Sequence, residues 1–425
     1  MKKLKVAIIG SGSTYTPELI EGLICRKDTM PVGEIALMDI DSRKLNIVGS
    51  LAQRMVENSE LDAKVILTED YDQALTGADF VFVQIRVGRL PARVLDERIP
   101  LKYNLIGQET TGIGGFFKGL RTVPVLLDLC ERMKRLCPDA WMINFSNPSG
   151  ICAQALLDHT DVKMMGLCNA PIGMMKWPAQ QFTDQNPDID YVGLNHLSFV
   201  TSIRHNGIDY LQEAVNGNDE YLAKLDGQMG FDKDIIRKVG GVPSYYMQYF
   251  LYHRKSLEKM KSAKTTRGED CMAIEEELLE MYSDASLYVK PEKLSQRGGA
   301  MYSECACSLA ESLYTGNGAV HVVNTYNKGA MSYMGDNDVV ETRAYVDNNG
   351  ARPIKAQVSG GGYIRGIVHA IKEYEYLAVK AAIEGSRTDA IRALMVNPLI
   401  GDYEAATACF DEMLEAHKEY LPQFS

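Results

Sequence analysis

Short apolar runs separated by longer mixed stretches set the rhythm of the first third of the chain. Residues 5–9, 34–38, 65–68, 80–84 and 140–144 read as strands, most of them ending at a Gly, Asp or Asn. Between them, residues 18–25, 41–58, 70–75 and 119–136 carry helical spacing. Strands that are apolar throughout suit a parallel sheet covered on both faces. The alternation therefore predicts a doubly wound α/β sheet. A sixth apolar run, 162–167, stops at Cys168-Asn-Ala-Pro171. After residue 190 the rhythm changes. Residues 191–203 hold two short strands around Asn195-His196, and the chain then becomes helix-rich and charged. In 242–252 Tyr246, Tyr249 and Phe250 fall on one helical face, a pattern whose ordinary reading is core packing. Residues 261–270 read as a polar loop, and 273–281 as a helix. The stretch Arg297-Gly-Gly-Ala-Met-Tyr-Ser-Glu304 leads into a helix that ends near residue 314. Strands at 319–324, 338–344 and 354–358 and helices at 364–382, 387–394 and 403–420 complete the pattern. No repeat or low-complexity linker interrupts it.

The turn after the first strand, Gly10-Ser-Gly12-Ser-Thr-Tyr-Thr-Pro17, changes the picture from architecture to binding. The first Gly permits a tight turn and the second lets a pyrophosphate approach the backbone at a helix N-terminus. Thr16 is the expected N-cap, with Pro17 at the first helical position. Tyr15 stands where a third Gly completes the usual dinucleotide fingerprint, so a modified loop is expected there. Asp39 closes the second strand, where a carboxylate accepts the ribose hydroxyls of NAD and repels the 2′-phosphate of NADP. Gly10, Gly12, Ser13, Thr14 and Asp39 are thus the expected NAD contacts. The expected division is a Rossmann-like NAD-binding domain over residues 1–190. An α+β, helix-rich catalytic, substrate and oligomerisation domain would span 191–425.

Other positions carry candidate chemistry. Cys168 and His196 each end a short apolar run, where open α/β sheets present side chains to a crevice. A thiolate with an imidazole suits a borderline transition metal, although a lone Cys is commonly a small core hydrophobe. Arg86, Arg89 and Arg93 follow a strand and form either a solvated loop or a clamp for phosphate or carboxylate. The Gly-rich 107–115 stretch reads as a loop lining a site. Asn147, before a Pro, serves as a helix cap or as an amide for sugar hydroxyls. The net charge of −11 argues against nucleic acid or an anionic membrane as partner. No apolar run reaches the roughly 18 residues of a membrane span. Nine scattered Cys and an N-terminus without a signal-peptide pattern predict reduced thiols in a cytoplasmic protein.

Taken in order, several stretches resemble glycoside hydrolase family 4 from the first strand to the C-terminal helices. These are 10–17, the Arg93 region, Gly107-Gln-Glu-Thr-Thr111, Asn144-Phe-Ser-Asn-Pro148, Leu167-Cys-Asn-Ala-Pro171, Gly193-Leu-Asn-His196 and Tyr246-Met-Gln-Tyr249. The resemblance implies an NAD- and divalent-metal-dependent glycosidase of phosphorylated substrates, with Mn2+ the expected ion. The Cys168-Asn169-x-Pro form is similar to the 6-phospho-β-glucosidase branch, whose α-acting counterparts carry Asp at the Asn169 position. By the same resemblance Cys168 and His196 are metal ligands and Tyr246 is the catalytic base, with Tyr245 and Tyr249 open as alternatives. Arg93 and Arg267 match positions for the 6-phosphate, and Glu109, Asn147 and Asn169 match positions near the sugar hydroxyls. The implied reaction is oxidation at C3 by NAD, removal of the C2 proton, elimination of the aglycone, addition of water and return of the hydride. This departs from the paired-carboxylate route of most glycosidases. The implied assembly is a homodimer or homotetramer. A 6-phospho-α-glucosidase or another family 4 glycosidase is the nearest alternative. From other classes come an NAD-dependent dehydrogenase, marked by net NADH production, and an NAD-binding sensor, which would turn over no glycoside.

Overall fold

A computed structural model describes residues 3–297 and 302–424. Six strands alternate with helices in the first half: β1 Leu4–Ile9, β2 Val32–Met38, β3 Lys64–Thr68, β4 Phe80–Val83, β5 Trp141–Asn144 and β6 Met164–Gly166. They pair in parallel in the order β3-β2-β1-β4-β5-β6. This is a doubly wound sheet whose strand order reverses between β1 and β4, where a crevice opens beyond the strand ends. The helices on its faces are α1 Thr16–Ile24, α2 Ser42–Glu57, α3 Tyr71–Leu75, α4 Arg89–Lys102, α5 Gly112–Leu136, α6 Ser149–His159 and α7 Ala170–Ala179. Buried Val, Ile, Leu and Phe from both strand faces form two separate hydrophobic layers, as a sheet covered on both sides requires.

The sheet does not stop with the first half. The small second sheet consists of β7 Asp188–Leu194, β8 Leu197–His205, β9 Ile208–Asp209 and β10 Val242–Pro243. Three later strands, β11 Ala319–Tyr326, β12 Val339–Asp347 and β13 Gly350–Pro353, extend the large sheet antiparallel beyond β6 to nine strands. The helix Gly362–Glu384 packs against α5 and α6. Phe116 and Phe117 of α5 meet Phe410 there, with ring centroids 6.5 and 5.2 Å away. A buried ion cluster pins the C-terminus to the same place. Arg121 forks onto Asp96 at 3.0 and 2.7 Å, and His417 Nε2 lies 3.0 Å from the same carboxylate.

Several local expectations give way to tertiary context. Tyr15, not Thr16, occupies the N-cap of α1, and the Thr16 hydroxyl donates to the Ser11 carbonyl at 2.8 Å. The 107–115 loop shortens because α5 begins at Gly112. The polar 261–270 stretch contains the start of the helix Arg267–Tyr282, set by a Thr266–Glu269 capping box. Residues 242–252 form β10, a 3₁₀ turn Tyr245–Met247 and a short helix Gln248–Leu251 instead of one helix. Residues 354–358 are irregular, and the last strand lies earlier, at Gly350–Pro353. The helix expected over 403–420 ends at Ala416. Of the 297–304 stretch, residues 298–301 lie outside the described residues.

Candidate active site

The crevice at the strand reversal is a cleft of about 740 Å³ walled by Gly10, Gly12, Ser13, Asp39, Lys118 and Asn147, among others. Gly10 turns the chain with φ 85°, and a Cβ there would sit 3.0 Å from the Gln84 carbonyl oxygen. The Gly12 amide donates to Asp39 Oδ2 at 2.7 Å, and a Cβ on Gly12 would press on that carboxylate at 2.9 Å. The Asp41 amide takes Oδ1 at 2.9 Å. Burial raises the Asp39 pKa, opposed by these two N–H donors. Thr14 lies behind the loop, fully buried, with its carbonyl accepting from Tyr282 Oη at 2.8 Å. Tyr15 replaces the third Gly with a ring on the cleft wall, 5.4 Å beneath the Arg297 guanidinium.

Glu109 joins this cleft to a second group of residues. Its carboxylate takes Arg86, Arg93 at 3.0 Å and Lys118 at 3.0 Å. Burial works against ionisation, yet the three cations outweigh it and hold Glu109 well below the usual carboxylate range. Burial and the neighbouring Arg86 bring Lys118 down to about 8. Arg93 lies within α4 instead of in a solvated loop, buried, with Nε donating to Glu97 at 2.8 Å. Glu97 in turn accepts the Gly268 amide at 2.7 Å, so Arg93 stands beside the start of the helix that carries Arg267. Arg267 itself is exposed and donates to the carbonyls of Gln296 and Arg297.

Cys168 follows β6 and His196 occupies the two-residue turn between β7 and β8, with φ 64°. The left-handed region costs a residue with a Cβ about 1–2 kcal/mol, and Gly or Asn is the ordinary occupant. Cys168 Sγ and His196 Nε2 lie 3.6 Å apart, both side chains buried. Bonds of about 2.1 Å to nitrogen and about 2.3 Å to sulfur span such a separation, so the pair fits one shared borderline ion. Burial lowers His196 to about 3, which keeps the imidazole neutral as a ligand must be. Burial and then Glu341 push the Cys168 thiol up, a cost that a bound cation would offset. Among the described residues no cluster of three or more His, Cys, Asp or Glu side chains could hold a metal. Two protein ligands leave positions open for substrate oxygens and water.

The Tyr246 ring stacks on His196 with centroids 3.7 Å apart and planes at 20°. Tyr245 is partly exposed and packs on Tyr246 with ring centroids 4.3 Å apart, whereas Tyr249 lies in the field of Glu97 and Arg93. The structure thus distinguishes the three tyrosines by their neighbours. Asn169 occupies the N-cap position of α7 beside Cys168 without a side-chain cap bond. Asn147 is not the cap of α6. Its peptide bond to Pro148 is cis, Pro148 takes the cap position, and Asn147 Nδ2 donates to the Phe145 carbonyl at 3.3 Å. The amide therefore remains on the cleft wall. Lys118 escaped the sequence reading. Its signal was a lone Lys after the apolar pair Phe116-Phe117, in a helix whose neighbouring positions are buried.

The chain matches the Family 4 glycosyl hydrolase family over residues 5–183 and the Family 4 glycosyl hydrolase C-terminal domain over residues 191–400. It is 42% identical to a probable 6-phospho-beta-glucosidase of Bacillus subtilis, covering 100% of this chain and 98% of the relative. It is 38% identical to a 6-phospho-beta-glucosidase of Escherichia coli, covering 100% and 97%. Among solved structures, the 6-phospho-beta glucosidase of Thermotoga maritima with manganese, NAD+ and glucose-6-phosphate superposes with a TM-score of 0.89. That pair shares 34% identity over 98% of this chain and 99% of the other.

Proposed function

The chain belongs to family 4 of the glycosyl hydrolases, and from that premise we propose that it is a 6-phospho-β-glucosidase using NAD and a divalent ion, Mn2+ foremost. It hydrolyses 6-phosphorylated β-glucosides such as cellobiose 6-phosphate. The observation that carries the reading is the buried Cys168–His196 pair, 3.6 Å apart, with Tyr246 stacked on the imidazole.

The residues divide the work. Gly10, Gly12 and Ser13 present backbone to the dinucleotide at the N-terminal end of α1, and Asp39 receives its ribose hydroxyls. Thr14 supports that loop from behind. Cys168 and His196 hold the ion. When bound, NAD exchanges a hydride with sugar C3, and the ion polarises the oxygens at C2 and C3, which makes the C2 proton acidic. Tyr246 Oη removes that proton, and a cation bound beside it would favour the phenolate form. Arg93 and Arg267 take the 6-phosphate, with Arg93 pre-aligned by Glu97 and Glu109. Glu109, Asn147 and Asn169 orient the sugar hydroxyls. Asn169 has no acidic proton to give the departing oxygen, which suits an aglycone that leaves without strong acid assistance.

Matched nitrophenyl glucosides, α and β, with and without a 6-phosphate, test the reading when assayed with NAD and Mn2+ each present or omitted. Release from the 6-phospho-β-glucoside alone, requiring both cofactors, is expected. Release from the α-anomer would reverse the meaning of Asn169. NADH accumulation without glycoside cleavage would mark a dehydrogenase instead. Gel filtration with light scattering tests the accompanying expectation of a homodimer or homotetramer. No helix among the described residues is long and apolar enough to cross a membrane, and we place the enzyme in the cytoplasm with sugar phosphates as its small-molecule partners.

A further inference from the structure

Glu341, in the interior of β12, is almost wholly buried, and its carboxylate draws donors from three directions. Asn195 Nδ2 donates to Oε1 at 2.9 Å, Asn324 Nδ2 reaches the same oxygen at 3.5 Å, and Tyr191 Oη donates to Oε2 at 2.6 Å. Asn195 is the residue beside His196 in the tight β7–β8 turn. Its side chain also hydrogen-bonds the Cys168 sulfur, which receives the Ala170 backbone N–H as well.

An amide can face a neighbour with either its oxygen or its NH2 end. A carboxylate that serves only as acceptor removes that freedom. It takes one hydrogen of Asn195 Nδ2 and leaves the second hydrogen on the same nitrogen for the sulfur. We infer that Glu341 is a positioning residue for the metal site, acting through Asn195 on both ligands at once. It fixes the amide so that an N–H points at the Cys168 thiolate, and it anchors the turn that holds His196 in its left-handed conformation. Partners of this kind orient ligands and tune their basicity, and their loss typically lowers metal affinity about 10–100-fold. The inference rests on Cys168 and His196 being the ligands.

Mn2+ titration of chelator-stripped, NAD-loaded protein, read by the resonance signal of free Mn2+, tests it alongside the thiolate-to-metal absorption of the Co2+ form. Glu341→Leu is expected to weaken Mn2+ binding about 10–100-fold with NAD affinity intact. Its Co2+ band should move to lower energy, because the sulfur lone pair loses its N–H donor. Glu341→Gln keeps an oxygen acceptor for Asn195 and is expected to restore most of both readouts. Asn195→Ala, at a half-buried turn that tolerates truncation, is expected to reproduce the leucine variant even where that variant folds poorly, and the double variant should be no worse than either single one. Tyr191→Phe removes a donor from the far oxygen and should leave the Co2+ band in place. Wild-type Mn2+ affinity and an unmoved band in Glu341→Leu or Asn195→Ala would overturn the inference, as would a glutamine variant as impaired as the leucine. Cys168→Ser separates the two levels. If it binds Mn2+ as tightly as the wild type, the ligand assignment itself is wrong and the role of Glu341 falls with it.

Discussion

The proposed cofactor cleft and the proposed metal site are built from opposite materials. The cleft is mainly backbone: a Gly10 turn, a Gly12 amide on Asp39 and a helix start, all within forty residues of one strand–loop–helix–strand unit. The proposed metal site is side chains brought from distant segments: Cys168 after β6, His196 in the β7–β8 turn, Tyr246 after β10 and, behind them, Glu341 from β12. Backbone binding sites spread their contacts over many amides, so single side-chain changes should cost them little. A two-ligand site has no such redundancy. Glu109, with Arg86, Arg93 and Lys118, is the seam between the two.

Substitutions on the two sides should therefore separate cleanly in size and kind. Cys168→Ser should abolish tight Mn2+ binding and lower activity by about a thousandfold or more, several kcal/mol of lost polarisation, while NAD binding and the melting temperature stay near wild type. Retained Mn2+ affinity would remove Cys168 from the ligand set. Tyr246→Phe should keep both cofactors and lose about 10²–10⁴-fold in kcat. Equal loss in Tyr249→Phe would reassign the base. Arg93→Lys retains charge but not the planar fork, and KM should rise about tenfold for phosphorylated glucosides only. A matching rise for unphosphorylated ones would remove its phosphate role. Asp39→Asn is the smallest expected effect, a few-fold weaker NAD binding with narrower discrimination against NADP, measured by fluorescence titration.

The seam has its own pH signature. Burial brings Lys118 down to about 8, so the ammonium loses its proton as pH rises through that value, while the unfolded chain keeps it to about 10. The unfolded state then binds more protons, and folding stability should rise across that window. Over the same range Glu109 loses one of its three cations, and KM for the phosphorylated substrate should increase. Lys118→Met should show the high KM at every pH and no inflection near pH 8.

How much could be read beforehand follows the same division. The sheet, the Gly loop and Asp39 are local patterns, and the structure contains them in the order the sequence shows. Cys168 and His196 were visible as ligand-type residues at the ends of apolar runs, but their meeting depends on the β7–β8 turn reaching the residue after β6, which no local spacing encodes. Asn147 reads either as a cap or as an amide for sugar hydroxyls, and the helix takes Pro148 at the cap position, a one-residue shift that no local pattern encodes. The Arg run read equally as a solvated loop or a clamp, because it gives no sign that Glu97 and Glu109 enclose Arg93. Lys118 and Glu341 sit in apolar stretches of α5 and β12, where a charge has meaning only once its partners are known. His196 carried one further signal: a turn position that favours Gly or Asn holds a strained His instead, as residues kept for function often are.

In the proposed mechanism, hydrolysis proceeds by removal of the C2 proton by Tyr246, not by direct displacement at C1. Turnover of a 6-phospho-β-glucoside in deuterated water, with NAD and Mn2+, followed by magnetic resonance of the sugar phosphate, tests it most directly. Deuterium is expected at C2 of the product, absent when either cofactor is omitted and lost in Tyr246→Phe. Full turnover with the original hydrogen retained at C2 would contradict it.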